Sequence, residues 1–202
     1  MNLTHPFLDR EDDALHEECG IFGVVGARDA ASITAQGLHA LQHRGQEAVG
    51  IVSHDRSRGD AGAGPADEPY RGEFLIHRGL GHVAQVFSNN EVLAGLTGTM
   101  ASGHVRYATT GGSGLRNVQP LFAELASGGF SIAHNGNISN AIALRRELVR
   151  RGAIFQSTSD TEVIIHLVAT SRYPTLIDRF VDALRMVEGA YSLICMTDQG
   201  MI

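Results

Sequence analysis

The sequence of 202 residues contains no lysine and no tryptophan, and only two of its residues are cysteine. Without lysine, neither a lysine Schiff base nor a phosphate-loop lysine can operate. Two cysteines, Cys19 and Cys195, are too few for a disulfide framework or an all-cysteine zinc site. We therefore expect both to be thiols in a reducing compartment.

Long apolar runs and an excess of positive charge are also missing. No apolar run approaches the ~18 residues that span a bilayer, and the polar, acidic N-terminus lacks the features of a signal peptide. A formal net charge of −6 disfavours general binding to nucleic acid or anionic membranes. With 43% hydrophobic residues the chain can form a packed core. The prediction is a cytoplasmic protein with no nucleic-acid or membrane partner.

The character of the chain changes at Cys19. Residues 1–18 are a polar leader with little to bury, and CGIFGVVG then reads as a buried strand. Further on, strands come in runs and helices come in runs, which predicts an α+β fold with antiparallel sheets. Helices are expected from Asp29 to about His43 and after Asp160, and Pro174 suits the first turn of another. The last predicted strand is followed by only four residues, so we expect the chain to be part of a longer one.

Cys19 is the first candidate for nucleophilic chemistry. A cysteine that starts a buried strand is most often an inert core residue, but here Gly20 leaves the thiol uncrowded and a dispensable leader precedes it. Removal of residues 1–18 would give Cys19 a free α-amine with a pKa of about 7.7–8.0, able to take the thiol proton near neutral pH. While that nitrogen is in an amide bond to Glu18 it has no basicity, so the leader would block the chemistry.

Three later motifs offer polar groups that suit an amino-acid substrate, and each also has an ordinary structural explanation. In GHVRYATTGG, Arg106 could pair with a carboxylate, with Thr109 beside it, or it is a solvated strand-end residue. In AHNGNIS, Asn135 and Gly136 form a hairpin turn or supply two oxyanion donors. In STSDTE, Asp160 caps a helix or pairs with a substrate ammonium.

Six segments occur in the order found in class II glutamine amidotransferases, which are N-terminal-nucleophile hydrolases: CGIFGVVG, LHALQHRGQEAVGIV, GHVRYATTGG, NVQPL, AHNGNISN and STSDTE. Sequences like glucosamine-6-phosphate synthase differ, because their cysteine follows the initiator methionine directly and a tryptophan follows the binding arginine. The leader, Tyr107 and the segment QHRGQ resemble instead the amidophosphoribosyltransferase family, in its variety with a cleaved propeptide. The resemblance covers residues 19 to about 200. It implies a four-layer αββα sandwich of the N-terminal-nucleophile hydrolase type.

The resemblance also implies catalytic roles for matched residues. Cys19 would be the nucleophile and its α-amine the general base. Asn135 and Gly136 would form the oxyanion hole. A γ-glutamyl thioester would form, ammonia would leave, and water would release glutamate.

Other matched residues would bind the substrate. Arg106 would hold the α-carboxylate of glutamine together with Thr109, and Asp160 would hold the α-ammonium. Tyr107 is also expected among the substrate-binding residues. Residues from Tyr107 to Gly114 resemble the family's mobile loop, which closes over bound glutamine.

For the domain organisation, the resemblance implies a propeptide at residues 1–18 and a class II glutamine amidotransferase domain at residues 19–202. The phosphoribosyltransferase domain that follows in the family is absent from this chain. Ammonia would pass to phosphoribosyl pyrophosphate there, in the first step of purine synthesis, with Mg²⁺. No cofactor is expected in the present chain, because two cysteines cannot hold the iron–sulfur cluster of some members.

A full-length protein is expected to form a homo-oligomer. Two alternatives remain open: another class II amidotransferase that aminates a sugar phosphate, and a catalytically silent interaction module that keeps its leader.

Overall fold

The structure, a computed structural model, describes residues 19–59, 72–107 and 114–202. Its strands are β1 (Gly20–Val25), β2 (Ala48–Asp55), β3 (Glu73–Leu80), β4 (Met100–Arg106), β5 (Leu121–Leu125), β6 (Gly128–Ile138), β7 (Gly189–Thr197) and β8 (Gly200–Met201). Its α-helices are α1 (Ala30–Ala40), α2 (Val83–Val86), α3 (Asn90–Gly95), α4 (Ala141–Arg150), α5 (Thr161–Thr170) and α6 (Leu176–Met186).

Two antiparallel four-stranded sheets form the centre of the fold. The first has the order β1-β4-β2-β3 and the second the order β5-β6-β7-β8. Helices α1 and α2 pack on the outer side of the first sheet, while α4, α5 and α6 pack on the outer side of the second. The α+β class and the order of four layers are therefore as predicted.

Alternation along the strands sends apolar side chains both outward, to the helices, and inward, between the sheets. The outer face of the second sheet buries Phe130 and Ile132 against α5 and α6. Between the sheets the apolar packing is smaller and includes Val52, Met100 and Met196. The space between the two sheets is therefore the part of the core that can accommodate polar side chains.

The predicted helices are found, with two differences at their ends. Helix α1 ends at Ala40, and a separate 3₁₀ turn, Gln42–Arg44, follows it. Pro174 does not lie in the first turn of α6, because Thr175 is the N-cap and accepts the N–H of Asp178. A threonine hydroxyl can satisfy a free N–H at a helix start, so the helix begins there and the proline precedes it.

Some expectations fall on residues outside the described ranges. These are the leader at residues 1–18, Thr109, and most of the predicted loop between Tyr107 and Gly114. The longest α-helices of the described ranges have 11 residues, and none of them is long and apolar enough to cross a membrane.

Candidate active site

A cavity of about 430 Å³ opens at one end of the sandwich. It gathers six of the residues singled out in the sequence as catalytic or binding: Cys19, Arg106, Tyr107, Asn135, Gly136 and Asp160. These residues come from the start of β1, the end of β4, the end of β6 and the start of α5. Positions up to 141 residues apart in the chain, such as Cys19 and Asp160, thus meet in one pocket.

Cys19 lies one residue before the ladder between β1 and β4 and is half-buried, not part of the core. Its thiol is 3.9 Å from the carbonyl oxygen of Tyr107. Its φ of 61° lies in the left-handed region, which residues other than glycine rarely adopt. The backbone therefore leaves the extended direction at the residue that carries the thiol.

Arg44 holds Cys19 in this conformation from both sides of the residue. The Cys19 N–H donates to the Arg44 carbonyl at 2.9 Å, and the Arg44 Nε donates to the Cys19 carbonyl at 2.8 Å. Two hydrogen bonds to one residue restrict its rotation, and they can maintain an unfavourable φ. The position of the thiol thus depends on a side chain 25 residues further along the chain.

The neighbours of Arg44 in the segment QHRGQ explain how that side chain is placed. The side chain of Gln42 donates to the carbonyl of Gly45 and accepts the N–H of Val83 at 2.7 Å. A Cβ at Gly45 would lie 2.7 Å from the carbonyl carbon of Arg106, so only glycine fits against that strand. The segment therefore ties the Cys19 end of the pocket to the Arg106 end.

Arg106 is the last residue of β4, and its side chain lies on the inner face of the first sheet. A Cβ at Gly103 would meet Leu38 and Thr34 of α1, so alternate residues on β4 face the helix and the second sheet. His104 and Arg106 consequently point between the sheets, toward the pocket they line. Tyr107, 46% exposed, follows at the rim.

The hairpin-turn interpretation of Asn135 and Gly136 is wrong. Both residues lie inside β6, where they pair with Ser192 and Tyr191 of β7. Gly136 has a φ of 130°, and a Cβ there would clash with the carbonyl oxygen of Ala190. Only glycine can take this conformation so close to the neighbouring strand.

Asp160 caps α5 and also lines the pocket, so its role as a helix cap is compatible with contact to a substrate ammonium. Its carboxylate accepts the N–H groups of Thr161 at 2.9 Å and Ile138 at 3.1 Å, and it lies 3.6 Å from Nδ1 of His134. Burial alone would raise the pKa of Asp160, but these donors, with His134 first among them, hold it below its ordinary value. The carboxylate is therefore anionic at neutral pH, with 29% of the side chain exposed.

The segment before Asp160 forms one wall of the pocket and is held by a buried carboxylate. Glu162 accepts the N–H groups of Gln156 at 2.6 Å and Ser157 at 2.7 Å, and also the Ser157 hydroxyl at 2.6 Å. On the other side, the side-chain NH₂ group of Asn117 donates to the Thr158 hydroxyl, and its side-chain oxygen accepts the backbone N–H of Thr158. The wall is thus held by hydrogen bonds on both sides.

Substitution of Glu162 by glutamine should loosen this wall. A carboxamide has one acceptor oxygen, and its NH₂ group would face backbone N–H donors, so we expect the free energy of unfolding to fall by about 1–3 kcal/mol. Denaturant unfolding measures this loss. Glu147→Gln is the matched control, because Glu147 pairs with Arg150 and Arg151 on the surface, and its loss should cost less than about 0.5 kcal/mol. Equal stabilities for the two variants would contradict the assigned role of Glu162.

The second cysteine is unsuited to nucleophilic chemistry. Cys195 is completely buried in β7, and burial raises the pKa of its thiol. A thiol that stays protonated in an apolar core is inert.

Arg44, His134 and His104 also bear on the site, and sequence patterns alone predict no role for them. Only their positions inside QHRGQ, AHNGNIS and GHVRYATTGG could have indicated them. Their roles depend on contacts between distant segments, which spacing along the chain does not reveal.

Comparison with known proteins identifies relatives of this chain. Residues 104–201 match the family model described as "Glutamine amidotransferase domain". The amidophosphoribosyltransferase of Rhizobium etli is 51% identical over 100% of this chain and 38% of its own length. That of Bacillus subtilis is 45% identical over 95% of this chain and 37% of its own length. The chain thus spans well under half of these two relatives.

A third relative and two solved structures complete the comparison. An amidophosphoribosyltransferase of Lacticaseibacillus casei is 44% identical over 96% of this chain and 92% of its own length. A solved structure described as the allosteric regulatory enzyme of purine biosynthesis has a TM-score of 0.77 at 43% identity, covering 88% of this chain and 35% of its own. The structure of the B. subtilis glutamine phosphoribosylpyrophosphate amidotransferase with ADP and GMP has a TM-score of 0.75 at 42% identity, and it covers 88% of this chain and 35% of its own. The chain belongs to the amidophosphoribosyltransferase family.

Proposed function

We propose that this chain hydrolyses the side-chain amide of glutamine through a thioester on Cys19, and that the ammonia is transferred to phosphoribosyl pyrophosphate. The observation that carries the proposal is the pocket itself, in which a half-buried thiol faces a cation, an anion and two N–H donors. A cation and an anion suit the two charged groups of an amino acid. The thiol and the donors suit attack on a carbonyl group.

Binding would depend on the two opposite charges of the pocket. The guanidinium of Arg106 forms a fork for the α-carboxylate, and the carboxylate of Asp160 attracts the α-ammonium. Held at both charges, glutamine extends its side-chain amide toward Cys19. Such orientation contributes much of the rate advantage of an enzyme, because the reacting groups are already together.

The reaction would begin when the α-amine of Cys19 takes the thiol proton. The thiolate adds to the carbonyl carbon, and the oxygen gains negative charge close to the Asn135 side-chain amide and the Gly136 N–H. The C–N bond then breaks, and the nitrogen leaves as ammonia after it receives the proton from the amine. Water cleaves the thioester in a second addition, which releases glutamate and restores the thiol.

Removal of residues 1–18 is part of the proposal, because only then does Cys19 have an amine. The Cys19 nitrogen already donates to the Arg44 carbonyl. After removal of the leader, one N–H of the amine can keep this bond while its lone pair faces the thiol. Arg44 would thus position the general base as well as the nucleophile.

Transfer of ammonia to phosphoribosyl pyrophosphate needs further protein. The relatives and the B. subtilis structure are named for this activity. The chain spans 37% of the B. subtilis relative's length. We propose a phosphoribosyltransferase domain that uses Mg²⁺ as the partner, in a cytoplasmic homo-oligomer that acts in purine synthesis. The relatives compared above give the sugar-phosphate alternative no support.

The test is an assay of the purified chain with glutamine, with its intact mass measured in the same preparation. We expect glutamate and ammonia in equal amounts from chains that begin at Cys19, and neither product from chains that retain residues 1–18. Turnover by the longer form would contradict the role of the α-amine. Chains that begin at Cys19 and release no glutamate would refute the proposed function and favour a silent module.

A further inference from the structure

His104 is a buried polar side chain at the floor of the pocket. It is 1% exposed and yet lines the cavity. Neither of its ring nitrogens makes a hydrogen bond of good geometry within the described part of the chain, although the ring lies against the backbone of His134. Buried polar atoms in native proteins are nearly always paired, so an imidazole that keeps an open hydrogen-bonding position next to a cavity is suited to a ligand.

The ladder between β1 and β4 brings His104 near the thiol. His104 pairs with Ile21, and Gly20 pairs with Val105, so Cys19 follows one residue beyond that pair. His104 thus lies near Cys19 at the end of this ladder, and both residues line the same cavity. The imidazole can reach a group held in front of the sulfur.

The surroundings of His104 keep the ring neutral. Burial first, and then the nearby charges of His134 and Arg106, lower the pKa of His104 to about 3. A neutral imidazole has one N–H donor and one nitrogen that accepts a hydrogen bond. At neutral pH, the floor of the pocket therefore offers an uncharged acceptor near the thiol.

The partner that fits this acceptor is the nitrogen of the substrate amide. The amide oxygen would face the donors of Asn135 and Gly136, on the opposite sheet. The amide NH₂ group carries only donors and needs an acceptor. The Asp160 carboxylate is assigned to the α-ammonium, at the other end of the substrate, and does not serve the amide nitrogen.

We propose that His104 is a specificity-determining residue, whose neutral ring accepts a hydrogen bond from the side-chain amide N–H of the substrate. The proposal rests on the proposed hydrolysis of glutamine and adds the residue that recognises the amide nitrogen. It implies that His104 distinguishes substrates with an N–H at this position from those without one.

The test compares glutamine with γ-glutamyl methyl ester, which carries no N–H at the reacting group. His104→Phe keeps a ring and removes the acceptor. We expect kcat/KM for glutamine to fall about 10-fold, the value of one neutral hydrogen bond, while kcat/KM for the ester changes less than about 2-fold. His104→Gln restores an acceptor and should recover most of the activity on glutamine.

Ser102→Ala is the matched control, since Ser102 is buried on the same face of β4, two residues from His104, and does not line the pocket. It should leave both substrates unaffected. An equal loss on glutamine and ester in His104→Phe would show a purely structural role and overturn the inference, as would no loss on either.

Failure of the proposed function gives a different result. If the wild-type chain that begins at Cys19 cleaves neither substrate, glutamine hydrolysis is refuted. The affinity for glutamine, measured by calorimetry, then tests the role of His104. Weaker binding in His104→Phe than in Ser102→Ala would still support recognition of the amide, whereas equal binding or no binding would overturn it.

Discussion

Cys19→Ala should abolish glutamine hydrolysis, with a fall in kcat of at least about 1,000-fold. The reason is that Cys19 carries the only thiol among the described residues of the pocket, and a thiol is far more nucleophilic near neutral pH than the hydroxyl groups of Ser139 and Ser159. Steady-state release of glutamate measures the effect. The variant should keep the circular dichroism spectrum and unfolding midpoint of the wild type, because Cys19 is half-buried at the edge of a strand and not in the core.

Cys195→Ala is the control for this experiment. It removes the only other cysteine, which is buried in β7. Some stability should be lost with the core sulfur, but kcat should remain within about 2-fold of the wild type under conditions where the variant is folded. Turnover by Cys19→Ala would contradict the nucleophile assignment.

The second large effect is expected for Asp160→Asn, which removes the anion of the pocket and one of the two oxygens that accept the N–H groups of Ile138 and Thr161, at nearly constant side-chain volume. Loss of one partner of a buried charge pair costs about 2–5 kcal/mol, so kcat/KM for glutamine should fall about 100-fold or more, mainly through KM. The measurement is a series of rates over a wide range of glutamine concentrations.

The control for Asp160→Asn separates binding of the ammonium from damage to the site. Alkylation of Cys19 by iodoacetamide, which has no ammonium group, should proceed at the wild-type rate. Asp29→Asn alters an exposed aspartate at the N-cap of α1, where the side chain makes no capping bond. It should change neither the KM for glutamine nor the rate of alkylation of Cys19. A normal KM in Asp160→Asn would exclude the ion pair.

Much of the fold follows from local patterns in the sequence. Alternation of apolar residues and helix caps depend on neighbours within a few positions, which is why β1, α1, α5 and α6 can be predicted. The short helix α3 and strand β8 were missed, because six and two residues carry too little periodicity to stand out. The end of α1 was misjudged, since a 3₁₀ turn continues the helical pattern.

The site divides in the same way between local and distant causes. Cys19, Arg106 and Asp160 could be proposed because each has a reactive or charged group in a recognisable segment. The roles of Arg44 and His104 could not, since they arise from contacts across the sheet and from an open hydrogen-bonding position beside the cavity. Asn135 and Gly136 show the limit of local rules, because Asn-Gly ordinarily turns a hairpin and here continues a strand.

The central claim is that the thiol and the free amine of one terminal residue face a pocket for an amino acid. Mass spectrometry after treatment with an alkylating analogue of glutamine tests it most directly. The account predicts a single adduct, on the Cys19 thiol of chains that begin at Cys19, and protection by excess glutamine. An adduct on Cys195, or equal labelling of chains that keep the leader, would contradict it.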